Sequence, residues 1–316
     1  MKKRLHIVAL SLAAAMVLTV SACGRDAGSS DASSGTAGQK KVTLALSTLN
    51  NPFFVDVRDG ALAEAEAKGL SLTVLDAQND ATTQSNQIQT DVSAGTAGII
   101  INPVDSDAAA AAIKPALDKK IPVVAVDRAV TGATVTSFIA SDNVAGGKQA
   151  ADALAKAIGE KGKIIQLQGT AGTSASRDRG QGFTDGMKAY PNIQIVATQT
   201  AGFDRTQGLD VTTNLLQANP DVVGIFAEND EMALGAIQAL GDKAGKTVFV
   251  VGFDGSADGL KAITAGTLTA TIAQQPKELG KTAVDAMADA LAGNTPAATQ
   301  PVPVQTVTKD NVADFS

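Results

Sequence analysis

From residue 41 onward the chain alternates short apolar runs with amphipathic stretches, a pattern that few architectures accept. Strands are predicted at Val42–Ser47, Leu70–Asp76, Gly98–Asn102, Pro122–Asp127 and Ser137–Ser141. A second series follows at Lys163–Gly169, Ile193–Thr200, Val222–Asn229, Val248–Asp254 and Thr269–Gln274. Several runs are almost continuous in Ile, Val and Leu, as strands covered on both faces require. The stretches between them carry helical spacing: in Pro276–Ala292, Leu279, Ala283, Ala286, Met287, Ala290 and Leu291 repeat with that period. Repeated β-α units fold as parallel sheets with helices on both sides. Ten strands in about 260 residues suit two sheets better than one, so the expected fold class is α/β with two doubly wound parallel-sheet lobes.

The residues ahead of this pattern read as an address and a tether. Lys2, Lys3 and Arg4 precede an apolar run of 14 residues, Ile7 to Val20. That run is shorter than the roughly 20 residues a membrane span needs, and it suits a cleaved export signal over residues 1–22. It ends in Val20-Ser21-Ala22-Cys23, small residues before the sole cysteine of the chain, which resembles a lipobox. Lipidation of Cys23 is expected, against the plainer alternative of an ordinary signal peptide with an incidental cysteine. Two or three acyl chains, at about 0.8 kcal/mol per buried methylene, hold a protein durably on a membrane. Residues 24–39 contain four Gly and four Ser and no large apolar side chain, so 23–40 is expected to be a flexible linker with a reach of about 20–24 Å.

Scarcity excludes several chemistries. The chain has one His (His6), one Cys, one Tyr and no Trp, and both His6 and Cys23 precede the folded region. The fold therefore has no imidazole for a catalytic triad, no thiol nucleophile, no disulfide and no structural zinc site, and no cofactor or metal is expected. Removing residues 1–22 takes away three positive charges and moves the net charge from −6 to −9, which disfavours nucleic acid as a partner. No mature side chain has a reference pKa between pH 6 and 8, so binding by this chain is expected to vary little over that range.

Polar residues are distributed unevenly on the strand pattern. Asp127, Asn229, Asp254 and Gln274 each close an apolar run at its carboxyl end, where parallel α/β sheets bind ligands. Any one of them could merely cap the following helix, but four together point to a shared polar cleft. Carboxylates accept hydroxyl protons and amides both donate and accept, a mixture that suits a polyhydroxyl ligand. Two of the nine Phe stand adjacent in Asn51-Pro52-Phe53-Phe54, where Asn51 suits a helix N-cap and Pro52 a first turn. Neighbouring side chains on a helix point about 100° apart, so at least one ring is expected to face the cleft and not the core. Phe203, after another strand, is a similar loop aromatic.

The segments STLNNPFF (47–54), INPVDSDA (101–108), VDRAV (126–130) and IASDNVAGGK (139–148) resemble the ribose branch of the periplasmic sugar-binding protein family. So do LQGTAGTSASRDRG (167–180), FDRTQGL (203–209), FAENDEMALGA (226–236), VGFDG (251–255) and TIAQQP (271–276). The resemblance spans essentially all of 41–309. It implies two lobes joined by a three-segment hinge: 41–141 plus 275–303, and 142–274 plus 304–316. It also implies that Asn51, Asp127, Arg128, Arg179, Asn229, Asp254 and Gln274 hydrogen-bond a pyranose while Phe53, Phe54 and Phe203 sandwich its ring. Arg177 is expected outside direct contact or in a local ion pair. The lipobox and Gly/Ser linker depart from many relatives in the family.

The resemblance implies a monomeric sugar receptor that closes on D-ribose or a close pentose and delivers it to an ABC permease with its ATPase subunits. Alternatives are a chemosensing receptor for allose, xylose or a furanosyl molecule, and a glycosidase using Asp127 and Asp254. Neighbouring arginines disfavour the last, because they lower a carboxyl pKa and remove a general acid. No dinucleotide fingerprint or phosphate-binding loop is present. Within the resemblance, hexose-binding relatives for glucose and galactose typically stack the sugar on Trp and carry a calcium loop; this chain has neither, so the resemblance implies ribose over those hexoses. Alanine at Asp127 or Arg179 is expected to abolish binding and leave the fold intact.

Overall fold

The computed structural model describes residues 39–315. The expected signal segment 1–22, the expected lipidation site Cys23 and the expected linker as far as residue 38 lie outside the described residues. One sheet is built from β1 (Lys41–Leu46), β2 (Ser71–Asp76), β3 (Gly98–Ile101), β4 (Val123–Val126) and β5 (Ser137–Ser141). Helices α1 (Pro52–Ala67), α2 (Ala81–Ser93) and α3 (Ala109–Asp118) connect its first four strands. The chain then enters a second sheet through α4 (Asn143–Ala157), followed by β6 (Gly162–Gln168), α5 (Ser174–Met187), β7 (Ile193–Thr200) and α6 (Arg205–Ala218). It continues with β8 (Val222–Ala227), α7 (Asp230–Leu240), β9 (Phe249–Asp254), α8 (Ala257–Ala265) and β10 (Ala270–Ala273). Helix α9 (Pro276–Leu291) returns to the first lobe; β11 (Thr299–Val302) and β12 (Gln305–Thr308) complete the two sheets.

The strand orders are β2-β1-β3-β4-β5-β11 and β7-β6-β8-β9-β10-β12, so the two lobes repeat one doubly wound topology. All ten predicted strands are present. The short terminal pair β11 and β12 was not predicted, because Thr299–Val302 and Gln305–Thr308 are polar, sheet-edge segments without an apolar run. β12 pairs antiparallel with β10, the one departure from parallel pairing among the described strands. The chain crosses between the lobes after β5, after β10 and between β11 and β12.

The central strands GIII, VVAV and ATIA are buried along their whole length, as sheets covered on both faces require. Short polar side chains start the helices: Asn51, Asp80, Asp142, Asp204, Asn229 and Ser256 each accept a backbone N–H of the first turn. In the second lobe Phe183 and Phe226 stack with ring centroids 4.3 Å apart at the heart of the core.

Helices α4 and α5 approach closely enough that only glycine fits between them. A Cβ on Gly147 would lie 2.2 Å from the Arg179 carbonyl oxygen, and one on Gly182 would lie 2.2 Å from that of Val144. Gly147→Ala is expected to cost about 1–3 kcal/mol by overpacking. Urea unfolding would read this as a lower midpoint, and an unchanged midpoint would contradict the packing.

Candidate ligand-binding site

The carboxyl ends of both sheets face one cavity of about 260 Å³ between the lobes. Its wall consists of Asn51, Phe53, Phe54, Asp127 and Arg128 from the first lobe, with Ala175, Arg179, Phe203, Asn229, Asp254 and Gln274 from the second lobe and its crossover. All ten residues singled out in the sequence thus meet at one place. A second cavity of about 480 Å³ adjoins it and shares Asn51, Phe54, Arg128 and Phe203 with it.

Capping and cavity lining prove compatible. Asn51 Oδ1 accepts the Phe53 N–H at 2.9 Å and Asn229 Oδ1 accepts the Met232 N–H at 3.0 Å, while both residues line the cavity. The Asn229 amide also donates to the Phe203 carbonyl at 3.3 Å. Phe53 and Phe54 meet edge to face, centroids 5.2 Å apart, and both pack on the first-lobe core while reaching the cavity. Three wall residues sit at positive φ: Asp127 at 64°, Phe203 at 59° and Asp254 at 126°. Non-glycine residues rarely adopt such backbone, and its clustering here marks a functional site.

The charged groups are almost wholly buried. The Arg179 Nε donates to Asn143 Oδ1 at 2.9 Å and Nη1 to the Glu228 carbonyl at 2.7 Å. Its guanidinium lies 3.9 Å from the Phe253 ring centroid, 5.6 Å from that of Phe203, and 3.7 Å from Asp254 Oδ1. Arg128 Nη1 donates to the Pro103 carbonyl at 2.9 Å, and its guanidinium is 5.3 Å from the Phe54 centroid. Asp254 Oδ1 accepts from Gln274 Nε2 at 2.6 Å, and Asp127 Oδ2 from Asn102 Nδ2 at 3.1 Å. Asp127 Oδ1, Arg128 Nε and Gln274 Oε1 are buried with no hydrogen-bond partner. Two acceptors and a donor are thus left over, each costing free energy until a ligand pairs it.

Burial shifts the titration of this cluster. It raises Asp127, against the pull of Arg128, Arg179 and Asn102, and raises Asp254 well above the usual carboxylate range, against Arg179 and Gln274. It lowers the Arg128 guanidinium to about 10, with Asp127 opposing. Hydroxyl donors on a ligand would favour the ionised carboxylates and restore ordinary values.

Around the cavity the lobes bond directly to each other. Ser106 N–H donates to the Gly172 carbonyl at 3.0 Å, Ser174 N–H to Ser106 Oγ at 3.0 Å, and Ala129 N–H to Ser174 Oγ at 2.8 Å. Arg177 lies outside the cavity wall and pairs with Asp107 at 3.4 Å. Among the described residues no group of three or more His, Cys, Asp and Glu is placed to hold a metal ion, and no helix is long and apolar enough to cross a membrane.

Several supporting residues escaped the sequence reading. Asn102, fully buried, orients Asp127 and also accepts the Ser47 N–H at 3.3 Å. It ends a predicted strand just as Asp127 does, and that signal could have found it. Asp230, raised to about 6 mainly by burial, accepts from Thr271 Oγ1 and the Ser256 N–H, both at 2.7 Å. Glu228 is fully buried under Arg179. Its signal was a carboxylate inside an apolar run, and burial lifts it to about 7, into the window that reference pKa values leave empty.

Two doubly wound lobes with a polar, aromatic-walled cavity between their strand ends define a two-lobed small-molecule binding protein. The chain belongs to the periplasmic binding protein family, whose domain model matches residues 42–295. It is 48% identical over 281 residues to the ribose import binding protein RbsB of Salmonella typhimurium, covering 89% of this chain and 95% of that one. Identity to the ribose import binding protein RbsB of Bacillus subtilis is 43% over 260 residues, covering 82% and 84%. The crystal structure of an ABC transporter solute binding protein from Bacillus halodurans, with bound myo-inositol, superposes with a TM-score of 0.83 at 31% identity, covering 89% of this chain and 98% of that one. These matches bear out the resemblance and the fold class read from the sequence.

Proposed function

We propose that this chain is the solute-binding component of an ABC sugar importer and that it captures D-ribose or a close pentose between its lobes. The observation that carries this reading is the set of buried polar atoms without a hydrogen-bond partner, Asp127 Oδ1, Arg128 Nε and Gln274 Oε1, on residues that line a cavity walled by Phe53, Phe54 and Phe203. A pyranose offers hydroxyls around its rim and C–H faces for flat rings. Asp127 and Asp254 accept hydroxyl protons, Arg128 and Arg179 donate from rigid guanidinium planes, and Asn51, Asn229 and Gln274 supply amides. Relatives at 43% to 48% identity that are named ribose import binding proteins favour ribose among pentoses.

Because the wall comes from both lobes, the sugar is held best when they are closed, and the three crossovers serve as the hinge. The bonds from Ser106 and Ala129 to Gly172 and Ser174 then help to hold the closed form. The lobes are 41–141 plus 275–303 and 142–274 plus 304–316. The closed form docks on a permease whose ATPase subunits drive import. A lipid on Cys23 keeps the exported protein on the outer face of the cell membrane. The receptor returns its sugar unchanged, so it is no enzyme.

Thermal unfolding of the purified protein against a panel of pentoses and hexoses tests this. At one hundred times its dissociation constant, ribose is expected to add about 2.7 kcal/mol of stability. A flat response across the panel would overturn the sugar reading. A response to allose or xylose with none to ribose would move it to another sugar.

A further inference from the structure

We propose that Glu228 is a positioning residue for the sugar site and that the charge on its carboxylate sets how tightly the sugar is held. The inference rests on the sugar reading above and concerns a side chain that does not line the cavity. Glu228 lies between the end of β8 and Asn229. Its Oε1 accepts Gln166 Nε2 at 3.0 Å, and its Oε2 accepts the Gly169 N–H at 2.8 Å and Ser176 Oγ at 2.5 Å. Its carbonyl takes the 2.7 Å bond from Arg179.

Three of these contacts, to Gly169, Ser176 and Arg179, reach residues in or beside the cavity wall. Gly169 is the floor beneath Phe203: a Cβ there would lie 2.0 Å from the Phe203 ring. Ser176 follows Ala175, which lines the cavity, and Gly180 leaves room for the carboxylate, since a Cβ there would come within 2.9 Å of Glu228 Oε1. One buried side chain thus ties together strand β6, the loop under Phe203 and the helix that carries Arg179.

Of the charged groups nearby, Arg179 from α5 acts on Glu228 and favours its ionised form. Asp230, two residues on, turns instead to Thr271 and Ser256, and Asp254 from β9 turns to Gln274 and Arg179. Strand β6 presents the uncharged amides of Gln166 and Gln168. Burial pushes the Glu228 carboxyl up to about 7, while Ser176, Gly169, Gln166 and Arg179 all pull it down. Protonation would affect these contacts unequally. An amide N–H cannot accept a proton bond, so only the Ser176 hydroxyl can reverse, and the attraction for Arg179 is lost.

The test is ribose affinity by calorimetry at pH 6, 7 and 8 for the wild-type protein and for Glu228→Gln. A single proton titrating near 7 weakens wild-type binding by up to about tenfold from pH 8 to pH 6. Asp127, Asp230 and Asp254 are also raised by burial and are common to both proteins, so any slope they contribute persists in Glu228→Gln, whose profile is expected to be clearly shallower than that of the wild type. A flat or reversed wild-type profile, or the same slope in Glu228→Gln, overturns the assignment. A second measurement needs no variant: reciprocity requires that ribose lower the midpoint of the Glu228 carboxyl in a carbon-13 NMR titration. Equal midpoints with and without ribose likewise overturn it. A wild-type protein that binds no pentose or hexose at any pH instead removes the sugar reading itself, and this assignment with it.

Discussion

Replacing Arg179 with alanine is expected to abolish ribose binding and to destabilise the second lobe. The first part follows from its place in the cavity wall, where a guanidinium is positioned to donate to a bound sugar from a fixed plane, as the proposed function requires. The second follows from what it leaves behind. Arg179 bonds Asn143 and the Glu228 carbonyl, stacks on Phe253, and neutralises Asp254 from 3.7 Å. Removing one member of a buried ion pair costs about 3–5 kcal/mol, because the other charge stays desolvated. The sequence expectation of an intact fold is therefore revised for this residue. Calorimetry with ribose and urea unfolding check the two parts separately. Arg179→Ala with wild-type affinity would remove the residue from the site, and an unchanged urea midpoint would show that its bonds carry no stability. Arg179→Lys is expected to recover part of the stability and little of the affinity, since a single ammonium cannot reach Asn143, Glu228 and a sugar together.

Asp127 carries the corresponding role from the first lobe, with a different balance. One oxygen is held by Asn102 and the other has no partner. Asp127→Ala is expected to lower ribose affinity at least about 100-fold, the equivalent of two charged hydrogen bonds at about 1.5–3 kcal/mol each. Alanine is also unfavourable at a φ of 64°, where asparagine is tolerated. Asp127→Asn is therefore the cleaner probe, with an expected loss of about tenfold in affinity and a stability within about 1 kcal/mol of the wild type. Burial that raises the Asp127 carboxyl is a cost that the neutral amide avoids. Unchanged calorimetric affinity in both variants would remove Asp127 from the sugar contacts.

Much of the fold and most of the site were legible before any coordinates. The central strands are short apolar runs with no polar alternation, and only a sheet covered on both faces suits GIII or VVAV. A polar residue at the end of such a run stands out, which is how Asp127, Asn229, Asp254 and Gln274 were found. Asn51 and Asn229 were ambiguous between cap and cavity because one side chain does both: the carbonyl oxygen serves the helix and the amide is left for other partners. What escaped was the layer behind the wall. Asn102 and Asp230 lie among the same motifs, but which cavity residue each supports depends on strand register and helix placement.

Glu228 shows the division most clearly. Local chemistry, in residue types and their spacing, determined the α/β lobes, the strand-end cleft and the absence of imidazole and thiol in the folded region. From composition alone the protein had no group titrating near neutral pH. Tertiary structure changed that by burying one carboxylate under Arg179, among Gln166, Gly169 and Ser176, residues 49 to 62 positions away along the chain. A pKa depends on solvent removed and partners supplied by distant segments, and neither quantity is written at the residue itself.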